Sequence, residues 1–126
     1  MTAYEQALRF YTPEAAPLYY ATTQNNLGNA YRDLATLEDR AGNLRRAMNA
    51  YEQALRFRTP EAAPLAYAMT QANLGLVRRD QGDLPAAGAC WREAERHYRQ
   101  MGYVEDADEM LRWIAEAEGG EDEENV

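Results

Sequence analysis

Residues 3–18, Ala-Tyr-Glu-Gln-Ala-Leu-Arg-Phe-Tyr-Thr-Pro-Glu-Ala-Ala-Pro-Leu, return as residues 50–65 with a single change, Tyr11 becoming Arg58. The likeness continues from 20–28 into 67–75 and fades after Arg32-Asp33 and Arg79-Asp80, which sets a period of 47 residues. A period of this length is the signature of a repeat architecture. Each copy is a supersecondary unit that cannot bury its apolar face alone and does so by stacking on its neighbour.

Composition indicates what the unit is made of. Ala, Leu, Glu, Gln and Arg dominate while Val and Ile are almost absent, the bias of helices over strands. Pro17, Pro64 and Pro85 suit the first turn of a helix, where a missing N–H costs nothing. Asp83 suits an N-cap and Gly102 a stop. These signals predict helices over about 2–10, 17–37, 39 or 42 to 57, 64–81, 83–101 and 104–117. The organisation expected is a half repeat over 1–12, repeat one over 17–58, repeat two over 64–101, a capping helix over 104–117 and an acidic disordered tail over 118–126.

The order Asn73-Leu74-Gly75, Gly82-Asp83-Leu84, Ala87, Trp91, Ala94 has spacings of 12 residues from Gly75 to Ala87 and 7 from Ala87 to Ala94. It resembles the tetratricopeptide repeat, a pair of antiparallel helices A and B with small residues where they cross. In the first copy Asn26-Leu27-Gly28, Tyr31, Gly42, Ala47, Tyr51 and Ala54-Leu55 take the same places. The likeness covers about residues 20–101. It implies an all-α fold of antiparallel helix hairpins stacked as a short right-handed α-solenoid of about six helices, similar to the elongated repeats of bacterial scaffold and signalling proteins. Gly28 to Ala47 spans 19 residues, seven more than in the second copy. Seven residues are nearly two helical turns, so one added turn in each helix would keep Gly28 and Ala47 level.

The resemblance also implies where a ligand lies. The family's concave groove is lined chiefly by helix A, and its positions fall here on Asn25, Asn29, Arg32 and Asp33, then on Ala72, Leu76, Arg79 and Asp80, with Asn26 and Asn73 two before each glycine. The candidate groove residues are therefore Asn25, Asn29, Arg32, Asp33, Asn73, Leu76, Arg79 and Asp80. Arg and Asn hydrogen-bond carboxylates and extended backbone, so a stretched acidic or mixed-charge peptide is the expected ligand. The competing reading of Arg32, Asp33, Arg79 and Asp80, as solvated helix charges, has equal weight. The lysines of the family's carboxylate clamp have no counterpart, which counts against chaperone tails.

Residues 3–8 match the second half of helix B and lack its first half. A helix B without its helix A exposes Tyr4, Ala7, Leu8 and Tyr11, so self-association into a homodimer or larger assembly is expected through this face. At the other end Val104, Met110, Leu111, Trp113 and Ile114 form the apolar stripe of a capping helix.

Nothing in the chain suggests catalysis. Cys90 and His97 are seven apart, roughly 10 Å along a helix axis, which suits neither a nucleophile with its base nor a metal site. Cys90 is expected in the core and His97 at the surface or an edge. No cofactor and no metal are expected, and the protein is read as not an enzyme. Residues 105–126 hold ten acids against one base, leaving 11 acids and 12 bases in the body. No basic surface dominates, so nucleic acid is not an expected partner. With no leader and no apolar span, the default address is cytoplasmic, with no membrane partner. The function expected is a non-catalytic protein–protein interaction module binding a peptide or protein segment. The alternative is a structural self-association unit with no external ligand.

Overall fold

In the computed structural model, residues 2–124 are described, with side chains over 3–119. Six helices follow one another: α1 Thr2–Phe10, α2 Pro17–Leu34, α3 Arg40–Leu55, α4 Pro64–Asp80, α5 Leu84–Gln100 and α6 Val104–Glu124. The described residues contain no strand, so the fold is all-α. Each helix packs on its neighbour in the chain, and α2 also touches α4.

The repeated word owes its recurrence to a joint that is built twice. Thr12 Oγ1 accepts from the Ala15 amide at 3.2 Å, and Thr59 Oγ1 from the Ala62 amide at 3.1 Å. Pro17 and Pro64 then open α2 and α4. In the second hairpin Asp83 caps α5 by accepting from the Ala86 amide at 3.1 Å. Gly82 and Gly102 take left-handed φ of 84° and 85°, a conformation open to glycine, and turn the chain out of α4 and α5.

The seven extra residues of the first hairpin lie at its turn. A hydrogen-bonded turn carries α2 onward, with the Glu38 amide on the Leu34 carbonyl at 3.0 Å. α3 then begins eleven residues before Tyr51, whereas α5 begins seven before Trp91. The helices meet through a glycine and a ring. A Cβ on Gly28 would stand 2.6 Å from the Tyr51 ring, and one on Gly75 would strike the Trp91 indole. Each glycine is thus the seat of an aromatic side chain from the facing helix.

The core lies along these contacts. Tyr51 packs with Ala35, Leu44, Ala47, Leu74 and Val77, and Trp91 with Ala68, Ala72, Ala87, Ala94, Tyr98, Ala107, Met110 and Ile114. α6 differs from expectation in two respects. Its buried stripe is Ala107, Met110 and Ile114, with Trp113 edge-on to Trp91 at 5.5 Å, while Val104 and Leu111 face solvent. It also runs to Glu124, past the expected end at Ala117, so the predicted tail from residue 118 is helical that far. Arg92 of α5 pairs with Glu118 at the start of this added stretch. Asn125 and Val126 lie outside the described residues.

Candidate functional site

Asn25, Asn29 and Arg32 follow one another at spacings of four and three, so α2 carries them on one face. Because the Tyr51 ring crosses α2 at Gly28, its hydroxyl reaches Asn29 and donates to Asn29 Oδ1. Burial pushes the Tyr51 phenol up to about 12, which keeps it a donor at neutral pH; the Arg32 charge opposes that rise and Asp33 adds to it. Arg32 Nη1 is buried and has no hydrogen-bond partner among the described residues. Asn29, Arg32 and Asp33 are therefore gathered around one phenol, that of Tyr51, which is not among the candidate groove residues.

The remaining groove candidates are drawn elsewhere. Asn25 is buried, and its Oδ1 accepts from Thr70 Oγ1 at 3.0 Å. Leu76 packs on the Trp91 core cluster, and Asn73 is half-buried on α4. Arg79 donates twice to Asp80 Oδ1, at 3.2 and 3.1 Å, so these two satisfy each other. In the second copy the Trp91 N–H ends on the Ala72 carbonyl at 3.2 Å, with no hydroxyl to match that of Tyr51.

The one changed letter of the repeated word joins the two copies. Arg58 donates to Thr70 Oγ1 at 3.1 Å and to Thr22 Oγ1 at 3.2 Å, bridging α4 and α2. Burial lowers its pKa from the usual arginine value. Its counterpart Tyr11 stacks instead on Tyr19, with ring centres 5.1 Å apart. Of the predicted association face, Tyr4, Ala7 and Leu8 are half-buried and Tyr11 is exposed. The most exposed apolar residues nearby are Phe10 at 79%, Tyr19 at 65% and Leu18 at 53%, around the joint of α1 and α2.

His97 is buried, which corrects the surface or edge position read from the sequence. Its Nε2 lies 2.8 Å from Glu93 Oε1, and its ring meets Tyr67 edge-on at 5.0 Å. The i,i+4 carboxylate and the tyrosine face together supply what a buried imidazole needs. Cys90 packs on the Tyr51 cluster, and burial pushes its thiol up, the opposite of an activated nucleophile. Among the described residues no group of three His, Cys, Asp or Glu is placed to hold a metal ion, and no helix is long and apolar enough to cross a membrane.

A cavity of about 550 Å³ opens between the first half of α3 and the end of α4, lined by Arg40, Ala41, Leu44, Arg45, Met48, Arg78, Asp80 and Gln81. It shares only Asp80 with the predicted groove. The one signal for it in the sequence is the lengthened first hairpin.

The residues described make an all-helical protein of paired helices with one polar cluster on α2 and one arginine-rimmed cavity on α3. Compared with known proteins, the chain matches no family model, no curated protein and no solved structure.

Proposed function

We propose that this chain is a non-catalytic protein-interaction module, a short tetratricopeptide-like α-solenoid that binds an extended peptide along the face shared by α2 and α4. Packing of helices in chain order, with the A helices α2 and α4 also touching, supports the solenoid reading. The observation that carries the binding reading is Arg32. A guanidinium nitrogen removed from water without a partner is costly, and because the side chain is only half-buried it can turn outward to meet a carboxylate or carbonyl of a bound segment. Asn29 adds amide donors beside it.

The test compares capture from native lysate by the intact chain and by Arg32→Ala, read by mass spectrometry. A protein retained by the first and lost by the second is expected. A set of captured proteins indifferent to Arg32 would sink the groove reading. Arg79→Ala should have the smaller effect, since Arg79 already has Asp80.

A second reading, self-association without an external ligand, is favoured by the exposed Phe10, Tyr11, Leu18 and Tyr19 at the joint of α1 and α2. On this reading Tyr19→Glu lowers the mass seen by light scattering while Arg32→Ala leaves it unchanged. A monomer across micromolar concentrations removes it.

A further inference from the structure

The two copies present one surface twice, and each covers it differently. Where α5 meets α6, Leu84, Pro85 and Gly88 face Ile114, Ala117 and Glu118 around a cleft of about 230 Å³, and the Glu118 carboxylate pairs with Arg92. Counted back from the ring of each hairpin, Trp91 or Tyr51, the corresponding residues of α3 are Leu44, Arg45 and Met48. These line the larger cavity of about 550 Å³. The extra turn that opens α3 adds Arg40 to its rim, and α4 contributes Arg78 and Asp80.

An apolar floor of Leu44 and Met48 thus lies among three guanidinium groups whose charge is only partly neutralised. Arg78 pairs with Glu52 at 3.1 Å. Arg40 reaches the Asp80 backbone carbonyl at 3.3 Å, and the Asp80 carboxylate is already held by Arg79. Arg45 is exposed and has no ion pair among the described residues.

We infer that this cavity is a binding site for an acidic helical segment of a partner protein. The segment lays an apolar side chain on Leu44 and Met48 and sets carboxylates against Arg40 and Arg45. Charge complementarity selects an acid, since arginine forks match carboxylates in two-point geometry. The floor selects an apolar anchor on the same helical face, the usual manner of a helix in a groove. The molecule carries a pattern of this kind on the matching surface of its second copy, where Ile114, Ala117 and Glu118 of α6 lie at spacings of three and one. The inference stands apart from the α2 and α4 groove, with which the cavity shares only Asp80.

The probe is a fluorescein-labelled, C-terminally amidated peptide of residues 111–126, titrated with the full chain at low salt and followed by anisotropy. Saturable binding is expected, weakened about tenfold or more by Arg40→Glu with Arg45→Glu, and by Met48→Glu. Arg45→Gln should weaken it less, and Arg32→Ala should leave it within about twofold. Arg40 and Arg45 are exposed, so the charge variants keep the fold, and far-UV circular dichroism verifies this. Three results would overturn the inference. One is no binding at tens of micromolar chain. Another is loss of binding through Arg32→Ala or Arg92→Glu while the Arg40 and Arg45 pair has no effect, which moves the peptide to the groove or to α5. The third is a dimer of the chain alone that the Arg40 and Arg45 pair dissociates, which makes a second copy the occupant.

Discussion

The first copy crosses its helices through Gly28 and Tyr51, the second through Gly75 and Trp91, and the two rings leave different surfaces behind them. The Tyr51 hydroxyl emerges beside Asn29 and Arg32, where a guanidinium nitrogen has no partner. The indole N–H is tied to the Ala72 carbonyl, its ring is braced by Trp113, and Arg79 is occupied by Asp80. Under one framework, the polar groups of the second copy are consumed by packing, and those of the first include a guanidinium nitrogen that no neighbour satisfies. A repeat can thus hold its fold constant while its copies differ in which polar groups are left unpaired.

The steepest way to break this comparison is at the glycines. Gly75→Ala should cost about 3 kcal/mol, because the new Cβ strikes an indole that is 1% exposed and held on two sides. Gly28→Ala should cost about 2 kcal/mol, since a methyl 2.6 Å from the smaller Tyr51 ring needs a smaller shift. Urea denaturation midpoints rank the two. A neutral Gly75→Ala would show that the ring can move and that the second copy is not the more tightly packed.

Next in size is the bridge between copies. Thr70 is fully buried and serves both Arg58 and Asn25, so Thr70→Val leaves the buried Asn25 carbonyl without its donor, takes one acceptor from the half-buried Arg58, and should cost about 2 kcal/mol. Thr23, its counterpart one period earlier, bonds only the Tyr19 carbonyl within its own helix at 2.9 Å. Thr23→Val should cost about 0.5 kcal/mol, and equal costs would dissolve the distinction between a joint and a helix interior.

A pH difference sharpens the contrast further. Gln53 of α3 and Phe57 in the turn that follows it stand where α5 has Glu93 and His97, counted from Tyr51 and Trp91. Partial burial alone would raise the Glu93 carboxyl, but its hydrogen bond with His97 and the Arg96 charge outweigh that and hold it below its ordinary 4.5. A depressed carboxyl adds stability above its unfolded value and loses it as pH falls through its folded value. Glu93→Gln should therefore destabilise at about pH 6 and much less below about pH 3, while the effect of Gln53→Ala stays flat. Thermal melts at both pH values measure this. A Glu93→Gln cost that does not change with pH would remove the carboxylate from the account.

The smallest effects belong to a pair of ion pairs with exchanged signs, Glu52 to Arg78 in the first copy and Arg92 to Glu118 in the second. Glu52→Gln and Glu118→Gln should each cost about 0.5 kcal/mol or less and fade in high salt, as exposed pairs do. A larger cost at Glu118 would mean that this pair holds the last turns of α6 in place.

How much of this was legible depended on the kind of information required. The joint at 12–17 and 59–64 could be read because Thr, Pro and Ala act on backbone within a few residues of themselves. Asp83 as a cap and Gly102 as a stop were legible for the same reason. The surroundings of the candidate groove residues were only partly legible. Helical spacing places Asn25, Asn29 and Arg32 on one face, yet Asn25 is turned to Thr70 of α4 and Arg32 remains unpartnered. His97 was misplaced because an imidazole reads as polar until Glu93 and Tyr67 are seen around it.

The sequence by itself determined the period, the helical composition, the helix starts and the small residues at the crossings, because these follow from backbone preference and from one helix's own periodicity. Tertiary structure alone decided that Tyr51 reaches Asn29, that Arg58 rather than a second tyrosine staples α2 to α4, and that seven added residues open a cavity rimmed by Arg40, Arg45 and Arg78. Those outcomes depend on what stands across the gap and how far a side chain reaches. That is a property of two helices in a fixed register, and no single stretch of chain contains it.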